Sequence, residues 1–463
     1  MLRIYNTLTG QKEEFQPIEP GKIGMYVCGI TVYDYCHIGH ARVMVAFDVI
    51  ARYLRASGWD VQYIRNITDV DDKIFKRASE NGEAYNTLTK RFISAMHEDE
   101  TALGVLRPDS EPRATAYMDD IIAMIQVLFE NGFAYQGSNG DVYYRVKQFA
   151  EYGKLTNKNI DDLLVGARIE VDKNKENPLD FVLWKSAKEG EASWESQWGK
   201  GRPGWHIECS AMSTKCLGNH FDIHGGGPDL PFPHHENEIA QSEAATGEKY
   251  ANIWMHAGAV RVNEEKMSKS LGNFFTIREV LKNHHPEVIR YFLLSSHYRS
   301  PISYSEESLQ TARGALLRFY TALRDAPEAS IDYQASEFTE RFYAAMDDDF
   351  NTPEALAVLF ELVKVVNKSR GQDVKKAAER VAELKSLGAI LGLLEEDPSV
   401  LIQSGDSRVD DSFHQKVEAL IAQRKEAREN KDWSAADAAR DSLSELKVVV
   451  EDCPDGSTKW RVE

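Results

Sequence analysis

The chain has 463 residues, enough for roughly two to four domains of ordinary size. Hydrophobic residues make up 42% of it and charged residues 28%, which is ordinary for a globular protein and allows a sizeable core. Its 73 acidic residues outnumber its 55 basic ones, and the formal net charge of −18 argues against broad, non-specific binding of nucleic acid. Any contact with RNA must therefore depend on local patches and on shape.

The sequence carries no recognisable secretion signal or membrane span. Residues 1–4 begin no apolar leader, and no run reaches the roughly 20 apolar residues that cross a bilayer, so we expect a cytoplasmic protein. The cysteines are too few and too scattered for a disulfide framework, which favours metal binding or burial in a reducing compartment. They are Cys28, Cys36, Cys209, Cys216 and Cys453.

The first predicted elements are a strand, a helix and a second strand. Residues 24–29 form a short apolar run that ends in a glycine, and residues 61–64 form another apolar run. Between them, Val43, Phe47 and Ile50 fall on one face of a helix. This order is typical of a βαβ unit in a parallel sheet.

An insertion is predicted to follow this unit. It covers residues 109–200, with a helix over 117–131 and a hairpin around the turn residues 137–140. Strand-like apolar runs then return over 205–263.

The last third of the chain is predicted to be mainly helical. Strand signals vanish after about residue 302, and stretches rich in Ala, Leu, Glu, Lys and Arg predict a helical bundle. Residues 396–411 are polar and read as a linker. Two helices, over 412–431 and 435–446, and a short strand at 448–450 form a small final unit.

The segment His37-Ile38-Gly39-His40 lies just after the first strand and opens the helix. Parallel sheets bind ligands at this place, outside the carboxyl ends of their strands and near a helix N-terminus. Gly39 has no Cβ, so a nucleotide can lie close to the backbone, and His37 and His40 can donate hydrogen bonds to phosphate oxygens. Ordinary loop histidines are the alternative, since four residues alone make a weak motif.

The segment Lys266-Met267-Ser268-Lys269-Ser270 lies between a strand-like run and a helix that starts near Thr276. Its lysines and serines can clamp a triphosphate and offset the charge of the leaving pyrophosphate. A solvated basic turn is the alternative for such a loop on its own.

Together, these two segments resemble the class I aminoacyl-tRNA synthetases, whose two signatures are HIGH and KMSKS. The resemblance implies ATP with Mg²⁺, an aminoacyl-adenylate intermediate, and His37, His40, Lys266 and Lys269 as catalytic residues. The ATP-binding residues that it implies are His37, Gly39, His40, Lys266, Ser268 and Lys269.

A third group consists of Cys28, Cys209, His234 and Glu238. His234 and Glu238 are four residues apart, so the sequence predicts that they share one helix face. Two thiolates, an imidazole and a carboxylate make a plausible zinc site. The spacing matches no compact zinc-finger pattern, however, and Cys209 as a buried small side chain is the alternative.

The chain also resembles the cysteinyl-tRNA synthetases of bacterial type. They have a cysteine just before HIGH, a W-H-I-E-C-S segment and an H-H-E-N-E segment, and all three occur here. The resemblance implies L-cysteine and tRNA(Cys) as substrates, a monomer, and one zinc ion per subunit held by Cys28, Cys209, His234 and Glu238. We expect zinc to select cysteine and not to hydrolyse, because a thiolate is a far better zinc ligand than the hydroxyl of serine. A hydrophobic pocket separates such analogues by only about 10- to 200-fold, so no editing domain is then needed.

Further substrate contacts are expected at the strand ends. Thr68 and Asp229 lie at strand-to-loop junctions and can hold the α-ammonium of the substrate, and Gly29 follows the first cysteine. Trp205 can cover the pocket and His224 can face the substrate. The alternatives are a core role for Trp205 and a turn role for Asp229.

The final unit carries the predicted tRNA contacts Arg428, Trp433, Asp437 and Asp452. An exposed tryptophan can stack on a splayed anticodon base, and carboxylates can accept hydrogen bonds from bases. A small helical cap with a core tryptophan is the alternative, and the residues alone favour it. The run K-D-W-S-A-A-D-A-A-R, however, resembles the anticodon-binding end of the family.

The resemblance covers essentially the whole chain and implies an α/β fold. A Rossmann-type parallel-sheet catalytic domain with an insertion is followed by an α-helical bundle and a small mixed C-terminal domain. The predicted ranges are 1–108 and 201–300 for the catalytic halves, 109–200 for the insertion, 301–395 for the bundle, 396–411 for the linker and 412–463 for the anticodon-binding domain.

Three rival functions share some of these features. A ligase that gives cysteine to a small amine would share HIGH, KMSKS and the zinc set but would have little use for the final unit. A silent RNA-binding scaffold would not need the intact histidines and lysines. A zinc hydrolase of the H-E-x-x-H type lacks its second histidine, because Ile239 stands there.

Overall fold

A computed structural model describes residues 1–157, 173–188, 191–262, 265–266, 275–324, 326–327, 333–403, 411–452 and 458–462. The chain divides into two compact units. The first comprises Met1–Arg261, His297–Ile302 and Ala344–Asn351. The second comprises Val262–Ser296, Ser303–Tyr343 and Thr352–Glu463. The finer domain boundaries given above remain predictions.

A four-stranded parallel sheet forms the centre of the first unit. Its strands lie in the order Ala251–His256, Phe221–Gly226, Lys22–Thr31 and Asp60–Thr68. The helix Ile38–Ala56 connects the last two strands, so the predicted βαβ unit is confirmed. Its apolar face is buried as the spacing predicted, with Phe47 and Leu54 fully enclosed.

The first unit contains five further α-helices among its described residues. They are Asp72–Asn81, Tyr85–Ala102, Met118–Glu130, Trp205–Leu217 and Glu236–Thr246. Short 3₁₀ turns lie at Ala114–Ala116 and Val146–Gln148. A two-stranded antiparallel sheet pairs Arg3–Asn6 with Gln11–Glu14.

An antiparallel sheet of four strands has three strands in the predicted insertion and its fourth just beyond the predicted end at residue 200. They are, in order, Ala134–Gln136, Val142–Tyr144, Phe181–Ser186 and Gly201–Pro203. Ala134 pairs with Tyr144, which confirms the predicted hairpin. The sheet is tied to the helix Glu236–Thr246, because the hydroxyl of Tyr144 donates to the carbonyl of Ala240 at 2.8 Å.

The segment around Asp349 fastens the N-terminal strand within the first unit. The buried carboxylate of Asp349 accepts from the backbone N–H of Tyr5 at 2.9 Å, from the hydroxyl of Tyr298 at 2.9 Å and from Nε of Arg299 at 2.7 Å. This segment belongs to the first unit, although the range 301–395 predicted for the bundle includes it, and that boundary remains a prediction.

The later part of the chain is mainly helical, as predicted, but it also contains short strands and a helix in the predicted linker. Its helices are Ile277–Leu281, Pro286–Leu294, Glu306–Arg324, Glu337–Asp347, Thr352–Ser369, Val374–Ile390, Pro398–Gln403, Asp411–Glu429 and Trp433–Glu445. Short strands occur at Val260–Val262, Glu265–Lys266 and Ile302–Tyr304. Apart from the strand at 448–450, strand signals were expected to vanish after about residue 302, but the structure also has the strands Ile302–Tyr304 and Thr458–Val462. The predicted linker contains the helix Pro398–Gln403.

The small final unit has its own apolar core. The strands Val448–Asp452 and Thr458–Val462 form an antiparallel hairpin against the last two helices. The core consists of Val417, Ile421, Leu443, Val448 and Trp460. None of the helices among the described residues has the length and apolar character that crossing a membrane requires.

Candidate active site and metal-binding cluster

His37 and His40 cap the helix that they open. The backbone N–H of His40 donates to Nδ1 of His37 at 3.2 Å, and the backbone N–H of His37 donates to Nδ1 of His40 at 3.3 Å. The two rings stack with their centroids 3.6 Å apart. This reciprocal capping box satisfies two of the N–H groups that a helix start leaves without a helical partner.

The capping box also sets where the imidazole protons lie. In each neutral ring Nδ1 accepts a hydrogen bond, so the proton must be on Nε2. Both side chains therefore present Nε2–H as a donor, beside the positive end of the helix dipole. This arrangement suits phosphate oxygens, and the binding of ATP by these two histidines remains a prediction.

The second predicted nucleotide segment is only partly described. The backbone of Lys266 ends the strand Glu265–Lys266, and Thr276 caps the next helix through a capping box with Glu279. Ser268 and Lys269, as well as the side chain of Lys266, lie outside the described residues.

The four predicted zinc ligands come together in the buried centre of the first unit. Cys28 Sγ lies 3.6 Å from Cys209 Sγ and 3.3 Å from Glu238 Oε1, and His234 Nε2 lies 3.0 Å from Glu238 Oε1. One donor atom from each residue lies within 4.8 Å of all the others. Two thiolates on a tetrahedral zinc ion would be roughly 3.8 Å apart, so this spacing fits the ion.

Each ligand comes from an element that the sheet holds in place. Cys28 lies on the central strand, where the pairing with the neighbouring strand shifts between Val27 and Ile30. Cys209 lies in the first turns of the helix Trp205–Leu217, and Glu238 lies in the first turn of the helix Glu236–Thr246.

The predicted shared helix face of His234 and Glu238 is wrong in detail. The regular helix begins at Glu236, and His234 belongs to the wide turn Pro231–His235 that precedes it. The backbone of Phe232 within this turn is extended (φ −142°, ψ 132°), and the chain enters the regular helix only after the turn. The spacing of four residues still brings the imidazole of His234 onto the carboxylate.

The protonation of the cluster suits a divalent cation. Burial raises the pKa of Cys28 well above its usual value, so this thiol keeps its proton. Burial also acts to raise the pKa of Cys209, but the hydrogen bond from Cys28 and the nearby His234 bring it down to about 6. Burial acts to lower the pKa of His234, but Glu238 raises it to about 10. Cys28 and His234 therefore keep one proton each, and the combined charge of these two protons equals that of one divalent cation.

A second shell of polar groups orients Glu238. Its Oε2 lies 2.8 Å from Nε2 of the fully buried His224 and accepts from the hydroxyl of Tyr250 at 3.1 Å. His224 and His234 hold the pKa of Glu238 well below its usual range despite its burial. Such outer partners fix the orientation of metal ligands. The substrate contact predicted for His224 remains a prediction.

An alternative metal-binding set shares two of these ligands. Cys28, His224, His235 and Glu238 also have donor atoms within 4.8 Å of one another. This set contains one thiol, whereas the predicted set contains two. Zinc favours thiolate ligands, and His224 already holds the outer oxygen of Glu238, so we favour the predicted set.

The predicted substrate residues surround the cluster in different ways. Trp205 is 41% exposed and its ring centroid lies 4.2 Å from that of His234, so a core role for it is wrong. Thr68 is buried at the end of its strand, whereas Asp229 is exposed in the loop after Gly227. A Cβ on Gly29 would lie 1.7 Å from the carbonyl oxygen of Asn66, so only glycine fits at this position.

Asn66 and Glu208 were missed by the sequence analysis. Both are buried beside Thr68, and burial together with the neighbouring Cys209 raises the pKa of Glu208 well above its usual value. The available signal was their position, since Glu208 precedes Cys209 and Asn66 is two residues before Thr68 on the same strand.

The predicted tRNA contacts lie on the small final unit. Trp433 is 63% exposed, and Trp460 occupies the core instead, so the alternative of a core role for Trp433 is wrong. Asp437 is also exposed. Asp452 accepts hydrogen bonds from both Nη atoms of Arg424, at 2.7 and 2.9 Å, and from Nη1 of Arg428 at 2.5 Å.

Comparison with known proteins identifies the family. Residues 14–314 match the model of the class I (C) tRNA synthetase catalytic domain. The chain is 63% identical over 461 residues to the cysteine–tRNA ligase of Ectopseudomonas mendocina (strain ymp), covering 100% of this chain and 99% of that protein. The chain belongs to the cysteine–tRNA ligase family. The enzyme of Azotobacter vinelandii (strain DJ / ATCC BAA-1303) is likewise 63% identical, over 462 residues, with 100% and 99% covered.

Two further family models match this cysteine–tRNA ligase after its catalytic domain. Residues 341–395 match a DALR domain, and residues 410–461 match the cysteinyl-tRNA ligase anticodon binding domain. These matches agree with a ligase that charges tRNA and argue against the three rival functions weighed above. As the resemblance implied, the chain is an aminoacyl-tRNA ligase.

Solved structures support the fold of the cysteine–tRNA ligase. The Mycobacterium tuberculosis methionyl-tRNA synthetase in complex with methionyl-adenylate aligns with a TM-score of 0.57 at 15% identity, covering 86% of this chain and 94% of that one. The Agrobacterium radiobacter K84 agnB2 LeuRS in its ternary complex aligns with a TM-score of 0.56 at 12% identity, covering 83% and 87%. At such identities the likeness concerns the fold alone, and it confirms the predicted Rossmann-type architecture.

Proposed function

We propose that this cysteine–tRNA ligase binds one zinc ion on Cys28, Cys209, His234 and Glu238 and uses it to select L-cysteine for transfer to tRNA(Cys). The observation that carries the proposal is the convergence of these four buried donor groups within 4.8 Å of one another, near the carboxyl end of the central strand. We further propose that ATP enters with Mg²⁺ and that the enzyme is a cytoplasmic monomer.

When bound, the zinc ion supplies a Lewis acid that can accept the sulfur of cysteine as an additional thiolate ligand, which the hydroxyl of serine matches poorly. The protein's part is to hold four ligands in place and to keep water out. His224 and Tyr250 fix the outer oxygen of Glu238, and the ring of Trp205 lies over His234 at the exposed side. Differential binding of this kind makes a separate editing site unnecessary.

We propose that ATP lies across the start of the helix Ile38–Ala56. The Nε2–H groups of His37 and His40 donate to phosphate oxygens, and Gly39 lets the nucleotide approach the backbone. As the resemblance implies, Lys266, Ser268 and Lys269 bind ATP and offset the charge that develops on pyrophosphate. Thr68 and Asp229 hold the α-ammonium of cysteine so that its carboxylate faces the α-phosphate, and Gly29 lies next to Cys28 in the same site.

The test is the charging of total tRNA with radiolabelled cysteine by zinc-replete and zinc-depleted enzyme. We expect cysteine-dependent charging by the replete enzyme, its loss after chelation, and its recovery when zinc is added back. Serine should be charged at neither stage. Recovery with zinc separates removal of the metal from irreversible unfolding.

Two outcomes would contradict the proposal. Depleted enzyme that discriminates cysteine from serine as well as replete enzyme does would remove zinc from the selection. Cysteine-dependent exchange of pyrophosphate without any charging of tRNA would keep the catalytic site but assign the product to a small amine acceptor.

We also propose that the exposed face of the final unit reads the anticodon through Trp433, Arg428, Asp437 and Asp452. Trp433 is the most exposed tryptophan of this unit and offers a ring on which a base can stack. Arg424 donates two hydrogen bonds to Asp452 in a bidentate arrangement, which fixes the orientation of the Asp452 carboxylate.

Trp433→Ala is expected to raise KM for tRNA(Cys) by about 10-fold or more, because stacking on an aromatic side chain contributes about 1–3 kcal/mol per base. The rate of cysteine-dependent pyrophosphate exchange should not change, because adenylate formation needs no anticodon. Steady-state charging against tRNA concentration measures the first, and Trp460→Phe controls for damage to the core of the unit. An unchanged KM for tRNA would contradict the proposed contact.

A further inference from the structure

A series of buried hydrogen bonds links Gly29, Asn66, Thr68 and Glu208. Its two ends are adjacent in sequence to the two cysteines of the cluster. The backbone N–H of Gly29 donates to Oδ1 of Asn66 at 2.8 Å. Nδ2 of Asn66 donates to Oγ1 of Thr68 at 3.4 Å, and Oγ1 of Thr68 donates to Oε2 of Glu208 at 3.0 Å. The side chains of Asn66, Thr68 and Glu208 are all buried.

The direction of these hydrogen bonds follows from one backbone group. The N–H of Gly29 can only donate, so the amide atom of Asn66 that faces it must be the oxygen. The other amide atom, which faces Thr68, must then be the nitrogen, and it donates. Because the Thr68 oxygen accepts from this nitrogen, its own hydrogen is left for Glu208.

This direction leaves the Thr68 hydroxyl as an acceptor for a ligand. A hydroxyl has one hydrogen and two lone pairs. Among the described residues, Glu208 takes the hydrogen and Asn66 uses one lone pair, so one lone pair remains for a ligand. An ammonium group, which only donates, is the complementary partner.

The position of this series of hydrogen bonds matches the shape of cysteine. Gly29 follows the ligand Cys28, and Glu208 precedes the ligand Cys209. In the amino acid, sulfur and nitrogen sit on adjacent carbons, so we expect a thiol bound at the cluster to direct the α-ammonium toward the strand end that carries Thr68. Asp69 and Asp71 follow Thr68 and add negative charge near Glu208, which favours a cation there.

We infer that Glu208 is a positioning residue for the α-ammonium of cysteine: it holds the Thr68 hydroxyl so that an oxygen lone pair faces the substrate. The inference deepens the proposed function, because it rests on the placement of the cysteine thiol at the four-residue cluster. Glu208 acts through Thr68 and does not itself touch the substrate.

The test compares cysteine with 3-mercaptopropionate, which keeps the thiol and the carboxylate but lacks the amino group. Equilibrium binding of both to the zinc-loaded enzyme is measured for wild type, Glu208→Ala and Glu208→Gln. We expect Glu208→Ala to weaken cysteine binding by about 10-fold or more, the usual effect of losing a hydrogen bond to a charged group. Binding of 3-mercaptopropionate should change by less than about twofold.

The conservative variant Glu208→Gln is expected to retain cysteine binding. The amide oxygen of Glu208→Gln can accept the same hydrogen bond from Thr68, so cysteine binding should stay within about threefold of wild type. Asp222→Asn controls for general destabilisation, because this buried carboxylate in the same sheet accepts only from the backbone N–H groups of Ile18 and Gly24 among the bonds described. It should leave the ratio of the two affinities unchanged.

The inference is overturned if Glu208→Ala weakens both ligands equally, if it weakens neither, or if Glu208→Gln binds cysteine as poorly as Glu208→Ala. Should Glu208→Ala fail to fold, Thr68→Val must show the same selective loss of cysteine binding, and unchanged binding would equally overturn the inference. Failure of the proposed function looks different: wild-type enzyme would then bind 3-mercaptopropionate equally well with and without zinc.

Discussion

Replacement of Cys209 by serine is expected to release zinc and to abolish selection of cysteine. Cys209 contributes the thiol whose pKa is already lowered to about 6, and it lies 3.6 Å from the other thiol of the cluster. A hydroxyl is a poor zinc ligand, and loss of even an outer partner of a metal ligand lowers metal affinity by about 10- to 100-fold. We therefore expect zinc affinity to fall by more than about 100-fold and cysteine-dependent pyrophosphate exchange to fall at least as far.

Metal analysis of the purified variant measures the first effect, and pyrophosphate exchange at increasing cysteine concentration measures the second. Cys216→Ser is the matched control, because Cys216 lies on the same helix but outside the cluster. It should retain full zinc content and activity. Full zinc occupancy in Cys209→Ser would contradict the assignment of the ligands.

Lys269→Ala is expected to slow formation of the adenylate by about 100- to 1,000-fold while leaving cysteine binding nearly intact. The magnitude is that of removing one group that stabilises charge developing in a transition state. The ammonium group of Lys269 is proposed to offset charge on the leaving pyrophosphate, which is absent when cysteine binds alone. The loss should therefore appear in the rate of the chemical step and not in the affinity for cysteine.

Single-turnover formation of adenylate measures the rate, and equilibrium binding of cysteine measures the affinity. Lys282→Ala is a suitable control, because Lys282 is an exposed lysine at the end of the helix that follows this segment. It should leave both quantities within about twofold of wild type, as is usual for an exposed side chain. An equal loss of rate and cysteine affinity in Lys269→Ala would exclude a role confined to the transition state.

Periodicity and turn residues predicted most of the fold. The face formed by Val43, Phe47 and Ile50 led to the helix Ile38–Ala56, and the apolar runs on either side led to two neighbouring parallel strands. Residues 137–140 marked the hairpin of the insertion. The strand Ile302–Tyr304 was missed because three residues are too few to show alternation, and the helix Pro398–Gln403 was hidden in a polar stretch.

The candidate site was predicted largely through the resemblance and less through spacing. Cys28 and Cys209 are 181 residues apart, so no local pattern indicates that their sulfur atoms meet. The motifs around them supplied that information. Pro233 could not decide where the regular helix begins, because proline suits the first turn of a helix and is compatible with a start before or after His234.

The supporting residues could not be predicted from the sequence. Thr68 and Glu208 are 140 residues apart, and their hydrogen bond depends on how a helix packs against the sheet. Likewise, the roles of His37 and His40 as mutual caps follow from backbone geometry at the helix start. Such contacts fix the protons and lone pairs on which recognition depends, but they leave no pattern along the chain.

The most direct test of zinc selection is X-ray absorption at the zinc edge of the purified enzyme, recorded alone, with cysteine and with serine. We expect two sulfur neighbours in the free enzyme, from Cys28 and Cys209, and three after cysteine is added, with no change after serine. An unchanged sulfur count in the presence of saturating cysteine would contradict the proposal that zinc selects the substrate through its thiolate.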